Sequence, residues 1–320
     1  MKQKTGEFSE DGMPARPRLR VAALTLLALL SVHAGAHAAK VRIMASVFPL
    51  AEFAVSVAGG RGDVDLLIPP GAGIHTWQPR PGDIRRLASS DLFLFVGANL
   101  EPWLPGLLRA VPKGRVRAFE ASRGLVLMEA TEHHDEEGEG EEHGPLDPHV
   151  WLDFDLDVQI VDKIAEELSR VDPGGRDVFR ENADRLADRL RKLDAKYRET
   201  LADCPTRDLI LAGHGAFGYL ARRYGLVQHA LYGLSPDSQP RPADLIRAVE
   251  RCREKGIKTI FFENSVSPDL ARTLAREIGG RVLVLHAGHN LTREQQATGK
   301  GFFDLMEENL KSLREGLGCR

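Results

Sequence analysis

The sequence predicts an α/β protein of two parallel-sheet lobes joined by one long rigid α-helix. Short apolar runs alternate with helical patterns along both halves of the chain. An unbroken helical stretch, Arg176 to Ala202, lies between those halves, and histidines fall where predicted strands end. With 320 residues the chain has the length of about two ordinary domains. Its formal net charge of −3, with no basic cluster, gives no basis for a nucleic-acid partner.

The first element is a targeting segment. Arg16, Arg18 and Arg20 precede an apolar run from Val21 to Val32, and Ala36-His37-Ala38 then offers a small-x-small cleavage pattern. The run is well short of the roughly twenty residues a membrane span needs. Residues 1–39 therefore read as a signal peptide, with Met13 as a more usual start. No Cys follows the run, so the expectation is a periplasmic protein without a lipid anchor.

Residues 40–172 form the expected N-terminal lobe. Its strands are Val41 to Val47, Asp63 to Ile68 and Asp91 to Gly97, and its helices Phe48 to Ala58, Pro81 to Ser89, Trp103 to Ala110 and Val158 to Arg170. Residues 131–146 are rich in glutamate and glycine and contain His133, His134 and His143, with no apolar anchor until the end, and read as a solvated acidic loop. Residues 173–203 hold the linking helix. Phe179, Ala183, Leu186, Leu190, Leu193 and Tyr197 recur in it at helical spacing without Pro or Gly from Arg176 onward.

Residues 204–320 form the C-terminal lobe. Strands are expected at Asp208 to Ala212, Val227 to Tyr232, Thr259 to Glu263 and Arg281 to His286. Helices are expected at Ala216 to Tyr224, Ala243 to Glu254, Pro268 to Ile278 and Gly301 to Leu317. The cysteines Cys204, Cys252 and Cys319 all lie here. Export permits one disulfide with one thiol left over, and spacing does not choose the pair.

Four histidines stand at strand ends or loop starts: His75, His149, His214 and His286. Neutral imidazole is a good zinc donor, and zinc favours four ligands in a tetrahedron. Two histidines from each lobe would meet that demand in the cleft between the lobes. Each histidine alone also fits an ordinary hydrogen-bonded loop residue.

Three stretches carry a family resemblance. GAGIHTWQPRPGDIRRLASSDLFLFVGANLEPWL (Gly71 to Leu104), DPHVWLD (Asp147 to Asp153) and GHGAFGYLARRYGL (Gly213 to Leu226) resemble the ligand motifs of the zinc and manganese solute-binding proteins of ABC importers. The likeness runs from about Val41 to the C-terminus. It implies two α/β lobes around a long helix, a metal between them, and ligands at His75, His149 and His214. Histidine rather than a carboxylate at 214 points to Zn2+ over manganese. The family's fourth position is usually an aspartate, and His286 occupies that place here, with His289 or water as replacements.

Glu263 and Asp153 are the carboxylates placed to orient ligand histidines; helix capping or a salt bridge is the competing reading for Asp153. The loop with His133, His134 and His143 also resembles the family, and is either an auxiliary zinc loop or a plain acidic linker. The resulting expectation is high-affinity zinc binding by a monomer that delivers the ion to a membrane permease and is not an enzyme. The alternatives are a manganese-binding protein of the same importer class and, more distantly, a secreted zinc hydrolase. HExxH and GxSxG signatures are both missing from the chain.

Overall fold

The computed structural model describes residues 39–129, 146–233, 240, 242–263 and 267–320. Of the expected signal peptide only Ala39 is among these, and of the acidic loop only Leu146. His133, His134 and His143 lie outside the described residues. Among the described residues, no helix is long and apolar enough to cross a membrane.

The first half builds β1 (Val41–Ala45), α1 (Phe48–Ala58), β2 (Gly62–Leu66), α2 (Pro81–Ser89), β3 (Leu92–Phe95), α3 (Leu104–Ala110), β4 (Arg117–Glu120) and α4 (Phe154–Val171). Its strands pair in parallel in the order β2-β1-β3-β4. The second half repeats the plan. It contains β5 (Asp208–Leu211), α6 (Gly218–Tyr224), β6 (Val227–Ala230), α7 (Pro242–Lys255), β7 (Thr259–Glu263), α8 (Asp269–Glu277), β8 (Arg281–Leu285), α9 (Arg293–Ala297) and α10 (Phe302–Leu317). Its order, β6-β5-β7-β8, is the same winding and is again all parallel.

Central strands of such sheets are covered on both faces and are apolar for that reason. All four residues of Leu92–Phe95 are buried, as are all four of Asp208–Leu211. In each sheet the strand order reverses at one point, between β1 and β3 and between β5 and β7, which opens a crevice at the strands' carboxyl ends. The first crevice is closed from within by Glu101. Its carboxylate accepts from Ser46 Oγ (2.7 Å), Val96 N (2.9 Å) and Gly97 N (3.0 Å), and burial raises its pKa to about 6. The second crevice holds His214 and Glu263.

The two halves are linked by α5 (Arg176–Thr200), a 25-residue helix of roughly 37 Å. It buries Phe179, Ala183, Leu186, Ala187, Leu190, Leu193 and Tyr197. That stripe packs on α1 and α4 of the first half and on α10 of the second. Asn182 Nδ2 donates to Val57 O (2.9 Å), and Tyr197 Oη donates to Met306 O. One hydrophobic core consequently runs from Val41 to Leu317 through both sheets. A smaller core, with Ile210, Cys252, Ile260 and Leu274, packs α7 and α8 on the second sheet. Cys204 and Cys319 form a disulfide across 115 residues, and Cys252 is a buried thiol.

Two elements arise that periodicity does not predict. β4 is a four-residue edge strand with Arg117 and Ala118 exposed, and α9 is a five-residue helix closed by a Thr292–Gln295 capping box. Helix α4 also starts earlier than its apolar pattern, at Phe154, because Asp153 Oδ1 accepts Asp155 N (3.1 Å) as an N-cap.

Candidate metal centre

His75 lies on the irregular loop between β2 and α2 and is half-buried. His149 closes the sequence Asp147-Pro148-His149 just before a single 3-10 turn, Val150–Leu152, that leads into α4. His214 follows β5, and Glu263 is the last residue of the neighbouring strand β7. Strand adjacency therefore sets His214 beside Glu263, with Nδ1 and Oε2 2.6 Å apart.

Donor atoms of His75, His149 and His214 all lie within 4.8 Å of one another. Those of His214, Glu263 and His289 form a second group by the same measure. His214 belongs to both, so the two groups adjoin at its ring. Ring centroids stand 5.9 Å apart for His75 and His149, 5.6 Å for His75 and His214, and 5.2 Å for His149 and His214. His289 is 6.5 Å from His75 and 6.1 Å from His214.

The structure does not bring His286 into either group. Its Nε2 lies 3.0 Å from Glu308 Oε2, its Nδ1 3.4 Å from Gln295 Nε2, and Glu308 also pairs with Lys300. The cause is a backbone clasp: Asn309 accepts His286 N (2.7 Å) and donates to His286 O (2.8 Å), which turns the residue toward α10. Gly288, at φ 72°, then bends the chain so that His289 faces the other histidines.

Carboxylates fix the ring orientations. Asp147 Oδ1 accepts His149 N (2.9 Å), an Asx turn across Pro148, and lies 2.8 Å from His149 Nδ1. The carboxylate against His149 is thus Asp147 and not Asp153. Asp153 is occupied as the cap of α4 and as a partner of Arg223 (2.7 Å). Glu263 Oε2 lies beside His214 Nδ1, and its other oxygen lies 3.6 Å from His289 Nδ1.

This arrangement has a chemical consequence. A carboxylate accepts only from a protonated nitrogen, so the Asp147 contact favours the hydrogen on Nδ1 of His149 and leaves its Nε2 with a lone pair, and Glu263 beside Nδ1 of His214 favours the same arrangement there. Those two Nε2 atoms face each other at 3.3 Å. Two ligands held at about 2.0 to 2.1 Å in a tetrahedron stand about 3.3 Å apart. Both rings are buried, at 0% and 1% exposure, so the two converging nitrogens are kept from water. Such a cavity suits a cation. Trp151 shields it, its ring 5.4 Å from that of His149 and its Nε1 donating to Ala287 O (2.7 Å).

A family profile described as "zinc-uptake complex component A periplasmic", ZnuA, matches residues 43–316. The chain belongs to the ZnuA family. Members of the ZnuA family are solute-binding transport proteins that act outside the cytoplasm. The high-affinity zinc uptake system protein ZnuA of Bacillus subtilis (strain 168) is 36% identical over 281 residues, 87% of this chain and 88% of that protein. The zinc-binding lipoprotein AdcA of Streptococcus pneumoniae R6 is 35% identical over 86% of this chain, which spans only 56% of AdcA. Its Zn(II)-bound ZnuA-like domain superposes with a TM-score of 0.74 at 33% identity, covering 87% of this chain and 99% of that domain.

Proposed function

We propose that this protein captures one Zn2+ ion between its lobes in the periplasm, delivers it to the membrane permease of an ABC importer, and catalyses no reaction. Residues 1–39 direct export, residues 40–172 and 204–320 are the two lobes, and residues 173–203 hold them at a fixed spacing. His75, His149, His214 and His289 are the ligands. Asp147 and Glu263 orient them and offset the ion's charge. The single observation that carries this reading is the approach of His149 Nε2 and His214 Nε2 to 3.3 Å, the length of one tetrahedral edge of a zinc site.

Imidazole donors favour zinc over manganese, which prefers oxygen ligands. A ligand shell closed by protein groups also leaves no open position for an activated water, which a hydrolase requires. Calorimetric titration of the metal-stripped protein should show one zinc bound, and bound more tightly than manganese. His289→Ala should weaken zinc binding by at least roughly tenfold, whereas His286→Ala should leave it nearly unchanged. A stronger response to manganese would reject the zinc assignment, and a larger loss in the His286 variant would reject this ligand set.

A further inference from the structure

The loop that carries His75 has no sheet ladder or helix to hold its backbone between β2 and α2. Besides short turns of its own, it is held from the other lobe. Gly71 N donates to Leu291 O (2.8 Å). The carboxamide of Asn290 donates from Nδ2 to Pro69 O (3.0 Å) and to Ala72 O (2.9 Å). Its Oδ1 accepts Leu291 N (2.8 Å), which fixes the orientation of the amide. One side chain, immediately after His289, thus directs its amide nitrogen at two carbonyls of the loop that carries His75.

The other pair of histidines is fastened differently. Helix α6, which follows His214, brackets His149 from both sides. Tyr219 Oη donates to Asp147 O (2.9 Å), and Arg223 Nη1 pairs with Asp153 Oδ1 (2.7 Å). Gly218 permits this approach, since a Cβ there would meet Asp147 Oδ2 at 2.8 Å. Arg223 is 13% and Asp153 8% exposed in their side chains, so this contact is buried, while the Asn290 contact is at the rim and depends on one amide.

We propose that Asn290 is a positioning residue of the metal centre: it holds the His75 loop of one lobe against the His289 turn of the other, and thereby sets how long the ion stays. The proposal rests on the zinc reading above. With the amide gone, the Gly71 bond is the one backbone hydrogen bond left between the loop and the Asn290–Leu291 segment, His75 leaves the ion more often, and release accelerates from that side while His149 and His214 stay joined.

Asn290→Leu keeps the side chain's size and removes its donors, and Asn290→Asp keeps its shape with acceptors only. Zinc release into excess chelator should be roughly tenfold faster in both, on the loss of two hydrogen bonds. In the Asp variant this should hold although an added negative charge alone would slow release. Cobalt substitution gives a second readout: the intense visible absorption of four-coordinate Co2+ should weaken in both variants. The melting temperature of the metal-free form separates positioning from plain stabilisation. Faster release and a weakened cobalt band with an almost unchanged melting temperature support the assignment. Unchanged release in the two variants, with or without a lower melting temperature, overturns it, and the Asp variant alone decides if the Leu variant does not fold. Wild-type protein that takes up no zinc would remove the functional reading and this one together; wild type that binds zinc beside variants of unchanged release removes only this one.

Discussion

His289 sits where burial is complete enough to suppress its protonation. Desolvation lowers its pKa to about 4, against a smaller opposing pull from Glu263, and His214 and His149 lower it further. The sign matters for metal binding. An imidazole of ordinary pKa near 6.5 loses about tenfold in available lone pair between pH 7 and pH 5.5, whereas one at about 4 loses almost none. The factor by which His289→Ala weakens zinc binding should therefore be the same at pH 7 and at pH 5.5, as two calorimetric titrations would check. A factor that collapses at the lower pH would mean that His289 protonates early. Much of this centre was legible in the sequence, because His75, His149 and His214 lie in recognisable motifs. The sequence offered both His286 and His289 without choosing between them, since strand periodicity ends at Leu285 while the clasp by Asn309 and the bend at Gly288 are tertiary features. Asp147 was legible in principle: an Asp two residues before a His, across a Pro, is an Asx-turn spacing that turns a carboxylate back on the ring.

At the scale of elements, the short helix α6 carries more of the architecture than its seven residues suggest. Arg223 pairs with Asp153 at the start of α4 (2.7 Å) and with Asp194 of the long helix (2.6 Å), and Tyr224 Oη donates to the same Asp194 oxygen (2.8 Å). Those three charged side chains are at most 15% exposed, so truncating one strands the others. Arg223→Ala should cost about 3 kcal/mol of stability, measurable by urea unfolding of the metal-free protein; a loss below about 1 kcal/mol would show that the pairs behave as surface bridges. Elements with a sustained apolar period, α1, α4, α5 and the strands of the two sheet centres, could be read from the chain. β4 and α9 could not, because four or five residues that bury only one side give no period to detect. The start of α4 was hidden for a related reason: its first turn is set by the Asp153 cap, ahead of the apolar stripe that announces the rest.

For the whole molecule, the Cys204–Cys319 disulfide ties the entry of the second lobe to the end of its last helix. Closing a loop of 115 residues restricts the unfolded chain, by about 4 to 5 kcal/mol in the chain-entropy estimate. Cys204→Ser should lower the melting temperature substantially while zinc stoichiometry stays at one, and scanning calorimetry with metal analysis would test both; an unchanged melting temperature would place the unfolding boundary away from the termini of this lobe. The sequence limited the bond to three possible pairings, and only the fold, which brings the end of α10 beside the start of β5, selects one.

The continuous core has a further result for how a protease would deal with this protein. Since helices of both halves pack on the same long helix, the two share most of one interior, with only the smaller core under α7 and α8 apart from it, and opening one for a protease disturbs the other. An ion seated at the junction then protects every residue on that shared interior, by about 4 kcal/mol when free metal is a thousand times its dissociation constant. The metal-free protein should therefore be cut by added protease faster than the zinc-loaded one.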